Sequence, residues 1–207
     1  MEKDWSNLAE NFDDLQKYIV GDVIDKIIKD ELLNLKNLGN VIEFGCGVGN
    51  YTKPLASSSN SILATDISDD MIKFAKEELV DFSNIKVEKA SCYGTDFEDK
   101  SYDTVFMANL IHVVKDPKKV LEESHRLLKD GGKLIIVSFT PDGMSLTNKM
   151  KMIAKYLKTF GPPPKGSTPF KLKSLTEFVS THNFKIEISK LLGKKESKAI
   201  FIVAEKV

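Results

Sequence analysis

Arginine is nearly missing from this sequence: of its 30 basic residues, all but Arg126 are lysine. Arginine is the side chain best suited to forked recognition of phosphates and guanine edges, so its scarcity argues against a protein that reads nucleic acid. The formal net charge is zero, which gives no overall drive toward polyanions. Two cysteines, Cys46 and Cys92, are too few for a disulfide framework or a dedicated zinc site, and they fit a reducing, cytoplasmic setting. No apolar run approaches the ~20 residues needed to span a bilayer. The opening residues Met1-Glu2-Lys3-Asp4-Trp5 mix charges and lead into no apolar core, unlike a secretory signal. Internal repeats and low-complexity tracts are also lacking.

What is present is a chain of 207 residues, suited to one well-buried domain over 1–207. Apolar residues at helical spacing predict a helix from Asp22 to Leu35 within an N-terminal helical arm, 1–38. Short strands are predicted at Val41–Phe44, Ser61–Ala64, Ile85–Val87, Tyr102–Met107 and Leu134–Phe139. The last is apolar throughout except for Ser138. Ser68 and Pro117 mark the starts of intervening helices, the second carrying Val120, Leu121, Leu127 and Leu128, with Gly131-Gly132 as its stop. Strands and helices in alternation imply a parallel α/β sheet with helices on both faces. After a helix from Ser174 to Thr181, the runs Phe184–Leu191 and Lys198–Ala204 form a hairpin around the turn 192–197. The second run is apolar on both faces, so it belongs inside the sheet as an antiparallel last strand.

The loop Glu43-Phe44-Gly45-Cys46-Gly47-Val48-Gly49 follows a strand and precedes a predicted helix. Its glycines permit a tight turn and close approach of a ligand. Asp66, at the end of the next strand, has the chemistry to accept hydrogen bonds from both hydroxyls of a ribose. A dinucleotide fingerprint would need a glycine at position 50, which is Asn50. Glu43 would repel a pyrophosphate and favour a ligand carrying an ammonium group. S-adenosylmethionine has a ribose, an amino acid end and no phosphate, so the residues favour it over NAD.

Glu43-x-Gly45-x-Gly47-x-Gly49 resembles the first motif of class I S-adenosylmethionine-dependent methyltransferases. Asp66 resembles their second-strand acid, and Ser101-Tyr102-Asp103-Thr104-Val105 the start of their fourth strand. Leu127-Leu128-Lys129-Asp130-Gly131-Gly132-Lys133-Leu134 is similar to their turn into strand five. The similarity runs from Val41 to Phe139 and is strongest to the small-molecule branch labelled "methyltransferase type 11". It implies a Rossmann-like, seven-stranded, mostly parallel sheet with an antiparallel last strand. It also implies Glu43 at the methionine amino group, Gly45, Cys46, Gly47 and Gly49 beneath the cofactor, Asp66 on the ribose and Ile67 against the adenine. The family's adenine-binding acid aligns with Ser91, followed by Cys92. Asp96 or a shifted loop is the alternative.

Beyond strand four, Ala108-Asn109-Leu110-Ile111-His112 faces the crevice where ligands bind in open α/β sheets. Asn109 is expected at the cofactor's methionine end, and His112 is the candidate base. The stretch has no Asn-Pro-Pro-Tyr-like sequence and the chain no Pro-Cys pair, as nucleic-acid methyltransferases of two kinds would require. Trp5, Phe12 and Tyr18 of the N-terminal arm are expected to close over the site or to anchor a helix. The segment 143–176 carries Lys149, Lys151, Lys155, Lys158, Lys165, Lys171 and Lys173 and no acid. Leu146, Met150, Ile153 and Leu157 are expected to form the underside of a lid, with Gly161-Pro162-Pro163-Pro164 as its stiff exit. A basic amphipathic helix of this kind also suits a membrane or an anionic partner. The expected activity is methyl transfer to a small-molecule acceptor, yielding S-adenosylhomocysteine. The alternatives are a cofactor-binding relative without turnover and a nucleic-acid methyltransferase. Oligomeric state is left open.

Overall fold

The computed structural model describes residues 6–207, and Trp5 lies outside them. A 3-10 turn, Ser6–Asn11, leads into α1 (Phe12–Val20) and α2 (Asp22–Leu33), which are separated by Gly21. The order continues β1 (Gly39–Phe44), β2 (Ser59–Asp66), α3 (Asp69–Glu78), β3 (Ile85–Lys89), β4 (Tyr102–Ala108), α4 (Pro117–Leu127) and β5 (Leu128–Thr140). It ends with α5 (Leu146–Phe160), α6 (Leu172–Ser180), β6 (Phe184–Lys194) and β7 (Ser197–Lys206). The seven strands form one sheet in the order β3-β2-β1-β4-β5-β7-β6. β1 to β5 run parallel, and β7 lies antiparallel between β5 and β6.

Both faces of this sheet are covered, and the alternation along each strand decides which side chain goes where. Val41, Ala64, Phe106, Ile135 and Phe201 meet α2 and α3 on one face. Ile42, Val105, Ile136, Ile200 and Ile202 meet α4 and α6 on the other. β7 therefore has no polar face, as its uninterrupted apolar run predicts.

Local chemistry sets the boundaries. Ser68 caps α3 by accepting a hydrogen bond from the Met71 backbone N–H, and Asp116 caps α4 through Lys119, with Pro117 just inside. Three expectations need correction. The helix predicted from Asp22 stops at Leu33. Leu128 does not end α4; it begins β5 in extended backbone, so Gly131-Gly132 lie within the strand instead of closing the helix. The glycine loop is followed by a short 3-10 helix, Lys53–Ser58, where an α-helix was predicted. The Ser57–Ser59 run competes for backbone hydrogen bonds, and β2 begins at Ser59, so a longer helix has little support.

Phe201 is fully buried on β7, between β5 and the edge strand β6. Phe201→Ala is expected to lower unfolding free energy by about 3–5 kcal/mol, measured by urea denaturation. A loss below about 1 kcal/mol would show that β7 is not an interior strand.

Candidate active site

β1 and β4 are neighbours, but the segments that leave them cover opposite faces: the 3-10 helix after β1 places Leu55 on the face of Val41, and α4 lies on the face of Ile42. That divergence opens a crevice beyond the carboxyl ends of these strands. A cavity of about 440 Å³ occupies it, within the range of small-molecule sites. Its walls come from the glycine loop, the ends of β2 and β4, α1, α5 and the loop through Phe170.

Glu43 ends in the floor of the cavity and is almost wholly buried. Its Oε2 accepts a 2.6 Å hydrogen bond from the Thr52 hydroxyl. Burial is the main force on this carboxyl group and pushes its pKa up to about 8; the Thr52 bond opposes the rise, and the nearby Asp66 charge adds to it. Burial thus favours the neutral form of this carboxyl group in the free protein.

The loop beside it is built on left-handed backbone. Gly45 and Gly47 have φ of 68° and 56°, and a Cβ at Gly45 would strike the Leu110 side chain at 2.9 Å. Asp66 holds the loop in place. Its Oδ2 accepts from the Gly47 N–H at 3.0 Å and its Oδ1 from the Ser68 N–H at 2.9 Å. Burial raises the Asp66 pKa, and these backbone donors counter the rise. Cys46 is buried, its N–H donates to the Thr65 carbonyl, and burial pushes its thiol well up, so it is a packed side chain and not a nucleophile.

The expected residues are not all gathered here. Glu43, Gly45, Cys46, Gly47, Asp66, Ile67, Ser91, Cys92, Asn109, His112 and Phe12 line the cavity. Gly49 does not: an added Cβ there would meet Leu79 at 2.8 Å, so its place is tight packing. Ser91 accepts the Tyr93 N–H, while Asp96 is exposed and outside the lining. Asn109 has φ of 56°, and its Oδ1 accepts from the Phe139 N–H, tying β4 to β5.

Tyr18 and Met150 are corrections. On α1, Phe12, Gln16 and Ile19 share the inward face, and Tyr18 projects away from it. On α5 the inward residues are Met152, Tyr156 and Phe160, with Ile153 and Leu157 at the margin. Phe12 stacks on Phe160 with ring centroids 6.0 Å apart. The contact face is turned by about a quarter of the helix circumference from the predicted one. Aromatic residues have more apolar area to bury than Leu146 and Met150, which explains the turn.

Two polar partners were not foreseen. Ser138 Oγ lies 2.9 Å from His112 Nδ1; its position as the single polar break in an apolar strand was the available signal. Thr52 carries no comparable mark. Burial lowers the His112 pKa to about 4, which keeps the imidazole neutral and able to accept a hydrogen bond. Arg126, by contrast, is consumed by structure: its guanidinium donates to Glu123, Asp99, and the Phe97 and Thr95 carbonyls.

Residues 42–136 match the protein family described as "Methyltransferase domain". This stretch, a little under half of the chain, is similar to the class I S-adenosylmethionine-dependent methyltransferases and supports placing the chain among them. It is 31% identical over 147 residues to the ubiquinone/menaquinone biosynthesis C-methyltransferase of Rickettsia bellii, an alignment covering 66% of this chain and 59% of that one. It is also 31% identical over 127 residues to a phosphatidylethanolamine N-methyltransferase of Cereibacter sphaeroides, covering 59% of this chain and 62% of the other. The chain thus spans about six-tenths of the length of these curated relatives. A solved S-adenosylmethionine-dependent methyltransferase of Aquifex aeolicus shares the fold, with a TM-score of 0.71 and 20% identity, covering 99% of this chain and 100% of that one.

The raised Glu43 pKa has a sign that can be tested. Below about 4.5 the carboxyl is protonated in both folded and unfolded chains, and Glu43 contributes no pH dependence. As pH rises toward 8 only the unfolded chain ionises, so stability falls by up to about 1.4 kcal/mol per pH unit. Glu43→Gln should remove that component across pH 4.5–8 in denaturant titrations of the cofactor-free protein. Identical slopes for the two proteins would mean that Glu43 is ionised in the folded state.

Proposed function

We propose that the chain binds S-adenosylmethionine in this cavity and methylates a small, largely apolar acceptor. The observation carrying the proposal is the placement of a buried, desolvated Glu43 and a loop-bound Asp66 on one cavity floor, beside glycines whose backbone leaves room for a ligand. Glu43 fits a ligand ammonium group, whose charge would offset the cost of ionising a buried carboxyl group. Asp66 and Ile67 fit the ribose and adenine, with Ser91 and Cys92 beside them, and Asn109 holds the backbone at the β4 end of the cavity. When bound, the cofactor supplies a methyl group on an activated sulfonium centre.

The rest falls to the protein. Phe12, Tyr156, Phe160 and Phe170 wall off water and favour an apolar acceptor. The relatives' names concern quinone biosynthesis and a phospholipid, which supports an acceptor with a substantial hydrocarbon portion. His112, fixed by Ser138, is the group we assign to accept a hydrogen bond or a proton from the acceptor. The segment 143–176, through α5 and the prolines after it, forms the acceptor side of the cavity within a single domain. A nucleic-acid acceptor gains nothing from the one arginine, which is engaged internally.

Calorimetric titration should show binding of S-adenosylhomocysteine and none of NAD; the reverse would overturn the proposal. Between pH 6 and 8 the cofactor affinity should rise with pH, by up to about tenfold per unit, because Glu43 must lose its proton. It should level above about pH 8, and Glu43→Gln should bind weakly with no such rise. Asp66→Ala should weaken binding at least about tenfold; unchanged affinity would remove Asp66 from the site.

Once an acceptor is found by screening apolar metabolites, His112→Gln should lower kcat by roughly 10²-fold without changing cofactor affinity. With saturating cofactor, wild-type kcat should stay level down to about pH 5, since His112 protonates only near 4. A fall centred near pH 6.5 would show an ordinary, solvated histidine.

A further inference from the structure

The quarter-turn of α5 leaves its other apolar arc uncovered. Leu146, Met150, Ile153 and Leu157 are 72%, 64%, 42% and 48% exposed. Four large side chains in a row on one helix face, all open to solvent, are more than the scattered apolar exposure usual on a protein surface. Lys151 and Lys158 are exposed along the border of this arc, and Lys155 lies next to them. Lys155 Nζ sits 4.7 Å from the ring centroid of Tyr18, which is itself half exposed. Tyrosine and lysine together at the edge of an apolar strip suit a water–lipid boundary. The whole segment 143–176 carries no acid. The hairpin tip beside the start of α5 adds Lys194 and Lys195 against one carboxylate, Glu196, and the Lys195 carbonyl accepts from Asn148 Nδ2 at 3.2 Å.

We infer that α5 docks on an anionic lipid bilayer, its Leu146–Leu157 arc entering the headgroup boundary and its lysines reaching the phosphates. Among the described residues no helix is long and apolar enough to cross a membrane, so the association is peripheral. An interfacial helix requires an apolar face flanked by cations and is strengthened by anionic lipid; α5 has that arrangement. A second copy of the chain fits the face less well, because pairing two α5 helices would bring their lysine rows together without an acid from either segment. Ile153 and Leu157 belong both to the exposed arc and to the cavity margin, so the bilayer would meet the protein at the cavity mouth. The surface does not rest on the methyl-transfer reading.

The test is flotation of the full chain with vesicles of phosphatidylcholine alone or mixed equally with phosphatidylglycerol. Wild type should float with the mixed vesicles, remain behind with phosphatidylcholine, and be released by high salt. Leu146→Ser with Met150→Ser, neither residue lining the cavity, should reduce partitioning at least about tenfold. Lys151→Glu with Lys158→Glu should do the same by charge alone. Both variants should keep the melting temperature and S-adenosylhomocysteine affinity of wild type. Absence of wild-type flotation overturns the inference, as does flotation of both variants like wild type. A wild-type dimer in sedimentation velocity that Leu146→Ser with Met150→Ser dissociates assigns the face to a second copy and also overturns it. Cofactor affinity, measured on the same samples, separates any of these failures from failure of the methyl-transfer reading.

Discussion

A parallel sheet must hide both of its faces, and here the chain changes face between β1 and β4. The segments following β1 and β2 go to the side of Val41 and Phe106, whereas α4 goes to the side of Ile42 and Val105. Two strands that sit side by side thus send their continuations apart, and no backbone fills the wedge between them. The cavity is a consequence of that topology. So is the burial of Glu43, because the last residues of β1 are surrounded by strands on both sides before the chain turns into the glycine loop. The loop's shape follows from Asp66 one strand away, whose carboxylate ties β2, Gly47 and Ser68 into one unit.

Burial then acts on the ionisable groups in opposite directions. It raises Glu43 to about 8 and lowers His112 to about 4, and each shift favours the neutral form. Glu43 and His112 therefore meet a ligand as hydrogen-bonding groups without full charges, beside the Asp66 carboxylate, a setting in which a cationic ligand gains from the Glu43 ionisation it induces. On the proposed reading the two groups divide the work by position. Glu43 lies at the floor, against the glycine loop, and His112 lies at the end of β4, fixed to Ser138 of the neighbouring strand. Neither role needs a group that travels during the reaction.

Much of the fold was legible because each strand is short, apolar and bounded by polar or glycine residues. The interior position of β7 could be read from a run with no polar alternation. Glu43, Gly45 and Gly47 at the cavity were legible as an acid and glycines at the end of a strand, whereas Gly49 has the same sequence mark but serves packing against Leu79. Partners brought together only by the fold were not. Thr52 meets Glu43 from the N-cap position of the short 3-10 helix after the glycine loop, and nothing in its sequence neighbourhood marks it. On α5, two apolar faces compete, and the aliphatic one has the regular spacing that a sequence reading selects. The aromatic face wins in three dimensions because Phe12 offers Phe160 a stacking partner. Tyr18 was misplaced for the same reason, since which side of α1 turns inward depends on what α5 presents to it.

The central claim is that Glu43 and Asp66 jointly hold S-adenosylmethionine at the junction of β1, β2 and β4. A crystal structure with S-adenosylhomocysteine tests it most directly. The account predicts the amino group within hydrogen-bond reach of the Glu43 carboxylate and the ribose hydroxyls on Asp66, with the sulfur facing His112 and the aromatic wall. Density for the ligand elsewhere, or in this cavity with its amino group away from Glu43, would contradict it.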